Sequence, residues 1–202
     1  MVVTPVVRCG ALLVVVGLTF ACSAPRPNES GYADELHRAR AAKDAFLQND
    51  ADSPMPTEKH TEFLPLSYYD PDITYRIPAT LALADEPVLV DMPTSTGTID
   101  RLQMVGVLEF FLDGEPRTLS AFVSAGGGSL FVPFRDETSG AETYGAGRYL
   151  DVDATSTGIY PIDFNRAYHP NCYFNPEFIC PLPPPQNRLT TAIRAGERLP
   201  TS

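Results

Sequence analysis

The chain has 202 residues, 44% of them apolar and 20% charged, with a formal net charge of −10. That length fits one domain or at most two, the apolar share is too high for a disordered chain, and 14 Gly with 20 Pro stay below the roughly 25–30% that marks low complexity. A collagen, a coiled coil, a solenoid and a multi-pass membrane protein are excluded, and the acidity argues against nucleic acid and against a polybasic lipid-binding face.

The chain opens on an export signal. Within residues 1–21 Arg8 is the single charge, and Cys9–Ala21 form an apolar stretch of thirteen residues. That is shorter than the about 20 residues of a spanning helix but suits a signal-peptide core. Ala21-Cys22 resembles a bacterial lipobox, in which the thiol is acylated and becomes the new N-terminus, although Thr19 and Phe20 replace the usual Leu and small residue. Lipid anchoring to the membrane through Cys22 is the first expectation, plain secretion the second, an uncleaved anchor the third. Loss of residues 1–21 removes Arg8 and no acid, so the net charge moves from −10 to −11. Residues 22–30 read as a flexible tether and 31–200 as one β-rich domain.

Ser30–Asn49 is the best helix: Ser30 can cap it, Asp34 and Glu35 sit early and Lys43 late, as the helix dipole favours. Leu36, Ala39, Lys43 and Phe46/Leu47 form one thin stripe, and Asp52-Ser53-Pro54-Met55-Pro56 stops the helix. Strand-like runs follow at Ile73–Ile77, Thr80–Leu83, Pro87–Met92, Gly106–Leu112, Arg117–Val123, Ser129–Pro133, Tyr149–Asp153, Gly158–Phe164 and Leu189–Ile193, with a hairpin signal at Asp113-Gly114. About nine short strands separated by turns, with one N-terminal helix, predict a mainly β domain: a single antiparallel barrel or sandwich.

Two of the four cysteines, Cys9 and the acylation candidate Cys22, belong to the export signal and its processing site. The others, Cys172 and Cys180, flank an Asn-Pro turn, and outside the cytoplasm they most simply form a disulfide. A metal site with His169 is the alternative, but it lacks a fourth ligand and the usual short Cys spacing. Neither a metal nor a cofactor is expected: Gly126-Gly127-Gly128-Ser129 has no phosphate-loop ending and precedes no helix.

The densest polar segment runs from Arg135 to Arg166. Guanidinium forks match carboxylates and phosphates, so Arg135 and Arg148 beside Thr138, Ser139, Tyr144 and Asn165 could hold a small polar or anionic molecule. Glu142 and Asp163 complete this candidate face. The competing reading pairs the arginines with Asp136, Glu142 or Asp163 to fix a long loop. An envelope hydrolase would use Glu142 or Asp163 as acid or base, but no Gly-x-Ser-x-Gly elbow accompanies Ser139. A docking module would use Pro181–Pro185 and exposed aromatics. Phe63, Tyr68, Tyr69, Phe110, Phe111, Phe122, Phe131 and Phe134 read as core before they read as a stacking platform.

Phe131–Gly140, Glu142–Tyr144, Gly147–Leu150, Asp163–Tyr168, the Cys172/Cys180 loop, Cys180–Pro184 and Asn187–Leu189 resemble an uncharacterised bacterial domain-of-unknown-function family, numbered 1684. Arg40–Phe46, Ser53-Pro54 and Leu66–Tyr69 extend the likeness, which covers about residues 32–198. His169 departs from it, standing where Asn is expected before the Pro. The resemblance implies no activity. The function expected from the residues themselves is binding of a small polar or anionic ligand by an exported, lipid-anchored domain of the cell envelope.

Overall fold

The computed structural model describes residues 29–124, 126–153 and 155–200, together with Met1. The predicted leader, Cys22 and most of the tether lie outside the described residues. Helix α1 spans Glu29–Asn49. Its inward face carries buried Tyr32, Leu36 and Leu47, with Arg40 and Lys43 half-buried between them, while Ala39 and Phe46 point outward. The stripe is therefore more polar than its spacing suggests, because the two cations on it find partners beneath the helix. The Ser53 hydroxyl ends the helix by donating to the free Leu47 carbonyl at 2.8 Å. A short helix, α2, follows at His60–Phe63.

Six strands form the sheet: β1 (Arg76–Pro93), β2 (Ile99–Leu112), β3 (Glu115–Val123), β4 (Ser129–Phe134), β5 (Arg148–Asp153) and β6 (Tyr160–Asp163). Their spatial order is β5-β4-β3-β2-β1-β6, and every pairing is antiparallel. Consecutive strands β5 and β6 thus occupy the two ends of the order, so the sheet curls into a nearly closed barrel. Mainly β architecture with one long N-terminal helix is as expected; the strand count differs for two reasons. Thr80–Leu83 and Pro87–Met92 merge into β1, across a bulge between Leu83 and Val88, while Ile73–Tyr75 form a 3-10 turn before it. Leu189–Ile193 makes one rung with β4's end, where the Arg135 N–H donates to the Asn187 carbonyl and the Leu189 N–H to the Arg135 carbonyl, and then plugs the barrel instead of extending the sheet.

The β2–β3 hairpin turns on Asp113 and Gly114 with φ of 53° and 79°, both in the left-handed region that a two-residue primed turn requires. Alternation then sends Leu108, Phe110 and Leu112 of β2, Leu119 and Ala121 of β3, and Leu150 and Val152 of β5 inward. Phe164, Leu189, Ile193 and Ala195 close the core from the C-terminal segment. A second cluster, Leu47, Met55, Leu66 and Phe174, seats α1. Among the described residues no helix is long and apolar enough to cross a membrane.

Candidate functional site

The residues from Arg135 to Arg166 are divided: Arg148, Asp136, Thr138 and Ser139 share one inward-facing network, whereas Asp163 and Asn165 join Tyr32 and Asp72 in another. Arg148, at the start of β5, is 1% exposed. Its guanidinium donates to Asp136 Oδ2 at 2.7 Å, to the Ile193 carbonyl at 2.8 Å, to the Glu197 carbonyl at 3.1 Å and to the Ala195 carbonyl. Asp136 is equally buried, and also accepts the Thr138 N–H at 2.9 Å and the Ile193 N–H at 3.2 Å. Arg148 is therefore not presented to a ligand, contrary to the expectation for it; it staples β5 to the C-terminal plug. Four acceptors are what make so deep a cation tolerable.

Its neighbours are also engaged. Thr138 is fully buried and shares a 2.9 Å hydrogen bond with the Thr143 hydroxyl. Ser139 Oγ accepts the Asp136 N–H at 3.1 Å. Half-buried Arg135 donates from Nε to the Ala146 carbonyl at 3.2 Å. Glu142 receives Arg194 through a fork of 2.9 and 2.7 Å and the Tyr69 hydroxyl at 2.9 Å. Arg194 holds the Glu142 carboxyl below its usual range, the opposite of what a general acid at neutral pH needs. Asp163 accepts the Tyr32 hydroxyl at 2.7 Å and the Asn165 N–H at 3.1 Å, and Asn165 in turn ties down the Asp72 backbone through bonds of 2.9 and 2.7 Å. Pro181–Pro185 pack as a connector between the cysteine loop and the plug, with the Leu182 N–H on the Pro93 carbonyl at 2.7 Å.

His169 is buried and forms no metal cluster; none exists among the described residues. Its Nε2 accepts the Tyr144 N–H at 3.3 Å, and Nδ1 faces Glu197 Oε2 at 3.7 Å. Burial, then Arg148 and Lys43, push its pKa down to about 3, so the ring is neutral. Glu197, only 2% exposed, accepts the His169 N–H at 2.8 Å and is bridged by Lys43 from α1. Cys172 and Cys180, both buried, stand side by side, and the Cys172 N–H donates to Cys180 Sγ at 3.2 Å.

The open concavity lies elsewhere, on the outer face of β2–β5 beneath residues 168–181. It encloses about 460 Å³, within the roughly 300–1,000 Å³ of small-molecule sites. Phe131, Tyr149 and Tyr168 form its aromatic wall: Phe131 meets Tyr149 edge-on at 4.7 Å, and Tyr149 meets Tyr168 edge-on at 5.9 Å. Tyr149 is fixed by donating to the Pro181 carbonyl at 2.6 Å, and Tyr168 by donating to Asp151 Oδ2 at 2.9 Å. Val123, Phe178 and Ile179 form an apolar lip, and Ile179 is 61% exposed. Among the described residues, Asp100 and Asp151 are the charged groups of the lining, and no Lys, Arg or His lines the cleft. A second depression of about 540 Å³ beside Tyr69, Asp70 and Asp72 includes Arg194, whose guanidinium already holds Glu142.

A family model described as a protein of unknown function, DUF1684, matches residues 61–198, more than half of the chain. The chain belongs to this family. The DUF1684 chain is also similar to a solved structure: the solution NMR structure of the uncharacterized protein from gene locus rrnAC0354 of Haloarcula marismortui. The two are 42% identical, the match covers 84% of this chain and 95% of that one, and the TM-score is 0.66. This neighbour comes from an archaeon, so the likeness is not confined to bacteria. A search of the curated proteins gives no match.

The cleft was only partly legible in the DUF1684 sequence. Phe131 and Cys180 were singled out, but as core and as staple. Asp100, Leu102, Val123 and Ile179 carried no signal, because what makes them a site is the folding of the 168–181 segment across a sheet face far away in the chain.

Proposed function

We propose that this DUF1684 chain is a binding protein for a small molecule with an apolar or aromatic body and a neutral or positively charged head, seated in the cleft between the β2–β5 face and residues 168–181. The observation that carries this is the lining: aromatic walls, an apolar lip, two carboxylates and no cation. Such a cleft stacks a ring on Phe131 and Tyr149, and Asp100 and Asp151 attract a cationic group while repelling an anion. The ligand class stays as the residues suggested, a small molecule, but its place and charge differ from the Arg-lined face, whose cations are engaged internally. We further propose that the domain works outside the cytoplasm, held in the envelope by a lipid on Cys22; the apolar stretch 9–21 and the Ala21-Cys22 junction support this.

Calorimetric titration tests the binding reading with a matched pair of probes, phenethylammonium and phenylpropionate. The ammonium should bind, the carboxylate should bind at least about tenfold more weakly, and Ile179→Arg, on the exposed lip, should abolish ammonium binding by adding bulk and positive charge. Equal binding of both probes, or none of either, contradicts the proposal.

A further inference from the structure

Helix α1 holds its inward cations against a small depression separate from the aromatic cleft. The depression encloses about 140 Å³, and its wall includes Arg40 and Lys43 of α1, Tyr68, Arg166, Tyr168 and Glu197. That is room for more than one water, which needs roughly 10–15 Å³, and less than the roughly 300 Å³ at which sites for drug-sized ligands begin. Three cations and one carboxylate line it, so this wall is positive on an acidic chain. Lys43 bridges Glu197, and Arg166 is engaged with Glu35 and, at 3.3 Å, with Asp163. Arg40 differs, for among the described residues it forms no ion pair. Its Nη1 donates to the Tyr69 carbonyl at 3.0 Å and its Nη2 to the Asn165 carbonyl at 3.5 Å, and the guanidinium lies 4.4 Å over the Tyr68 ring. Among the described residues four buried side-chain polar atoms lack a hydrogen-bond partner, and two of them, Arg40 Nε and the Tyr68 hydroxyl, belong to this one depression. Roughly 90% or more of buried polar groups are paired, because an open donor has lost its water and gained nothing. Two such donors beside a guanidinium without a carboxylate call for an acceptor that carries negative charge.

We propose that this depression binds a phosphate group, with Arg40 Nε–H, the Tyr68 hydroxyl and the Lys43 ammonium as donors and Arg166 as a flanking charge. A phosphate fits better than a carboxylate for two reasons. The Arg40 fork is spent on carbonyls, so the donors left come singly from three side chains, which suits a tetrahedral anion with several acceptor oxygens more than a planar one. Three cations against one carboxylate also leave an excess of two positive charges, which a phosphate dianion matches. Lys43 spends one of its three N–H groups on Glu197 and keeps the others. Burial, then Glu197, hold the Tyr68 phenol above its ordinary range, so it retains the proton that it donates. The depression shares Tyr168 alone with the aromatic cleft, and the charge reading of that cleft does not enter the argument.

The test is calorimetric titration of the full chain with inorganic phosphate and, separately, with glycerol 3-phosphate, at an ionic strength held constant with chloride. Wild type should bind one phosphate saturably. Tyr68→Phe, which removes the hydroxyl and keeps the ring, should weaken binding at least about fivefold, and Arg40→Gln at least about tenfold. Arg194→Gln, which removes an exposed cation elsewhere, should bind as wild type does. The Tyr68 hydroxyl has no partner within the chain, so Tyr68→Phe should melt no lower than wild type without phosphate, and its weaker binding is then not a loss of fold. Arg40→Gln gives up two carbonyl bonds, and if it unfolds Tyr68→Phe decides. Tighter binding of glycerol 3-phosphate supports the site and assigns the phosphate to an ester; tighter binding of inorganic phosphate supports it and assigns the free anion. No saturable binding of either probe, or phosphate held equally by wild type and Tyr68→Phe, overturns the site. Equal weakening by Arg194→Gln reduces the effect to overall charge and overturns it too.

Discussion

Replacing Arg148 with Met removes a buried cation and leaves its partners in place. Asp136 keeps the Thr138 and Ile193 N–H bonds but loses its counter-charge at 2.7 Å, and three carbonyls at positions 193, 195 and 197 lose their donor together. Breaking one side of a buried pair costs about 3–5 kcal/mol, a large share of the roughly 5–15 kcal/mol that holds a domain together. For a domain of this size each kcal/mol shifts Tm by roughly 2–4 °C, so thermal unfolding followed by circular dichroism should drop by roughly 6–20 °C. Asp136→Asn combined with Arg148→Met removes the stranded charge and keeps an acceptor oxygen for the Thr138 donors while giving up the one that faces the Ile193 N–H. It should be more stable than Arg148→Met alone, because a neutral amide costs less to bury than an unpaired carboxylate. A single variant within about 2 °C of wild type, or a double variant less stable than the single, would refute the reasoning that Arg148 acts as a core staple.

His169 supplies a pH dependence. Its folded pKa of about 3 lies below the ordinary 6.5, so the unfolded chain takes up a proton first. The stability it contributes is complete above about pH 6.5 and falls away as pH drops toward 3. Urea titrations across that window should show His169→Asn with a flatter profile than wild type, and parallel profiles would refute a buried neutral ring. Gly196 has a φ of +80°, and an added Cβ would lie 2.6 Å from the Ala167 carbonyl oxygen; Gly196→Ala should therefore cost about 1–3 kcal/mol by chemical denaturation, and no loss would contradict that close approach. Arg194→Gln removes an exposed partner of Glu142 and should leave the denaturation midpoint in the same assay nearly unchanged, in contrast to Arg148. Cys22→Ala should move the chain from the membrane fraction to the soluble fraction of its host, and an unchanged distribution contradicts lipid anchoring.

What could be read from residues alone was what local pattern encodes. The helix after residue 29, the Asp113-Gly114 turn and the inward alternation of β2, β3 and β5 depend on neighbours in sequence, and they fold as their spacing suggests. The long β1 was hidden because Asp85-Glu86-Pro87 looks like a break, yet a bulge carries the strand through it. Leu189–Ile193 has a strand's composition, but Ile193 and Ala195 are needed to fill the barrel under Arg148. Arginine chemistry was ambiguous for the same reason. A guanidinium in a loop looks alike whether it faces an anion or the carbonyls of residues some 45 positions away. Only tertiary packing decides between them, and it also builds the cleft from segments that share no motif.

The most direct test is to map where an aryl-ammonium probe binds. Amide shifts of isotope-labelled DUF1684 chain titrated with phenethylammonium should concentrate on Phe131, Tyr149, Asp151 and Ile179, with Thr138, Ser139 and Glu142 unmoved. Shifts centred on the Arg135–Tyr144 segment, with the cleft silent, would contradict the account.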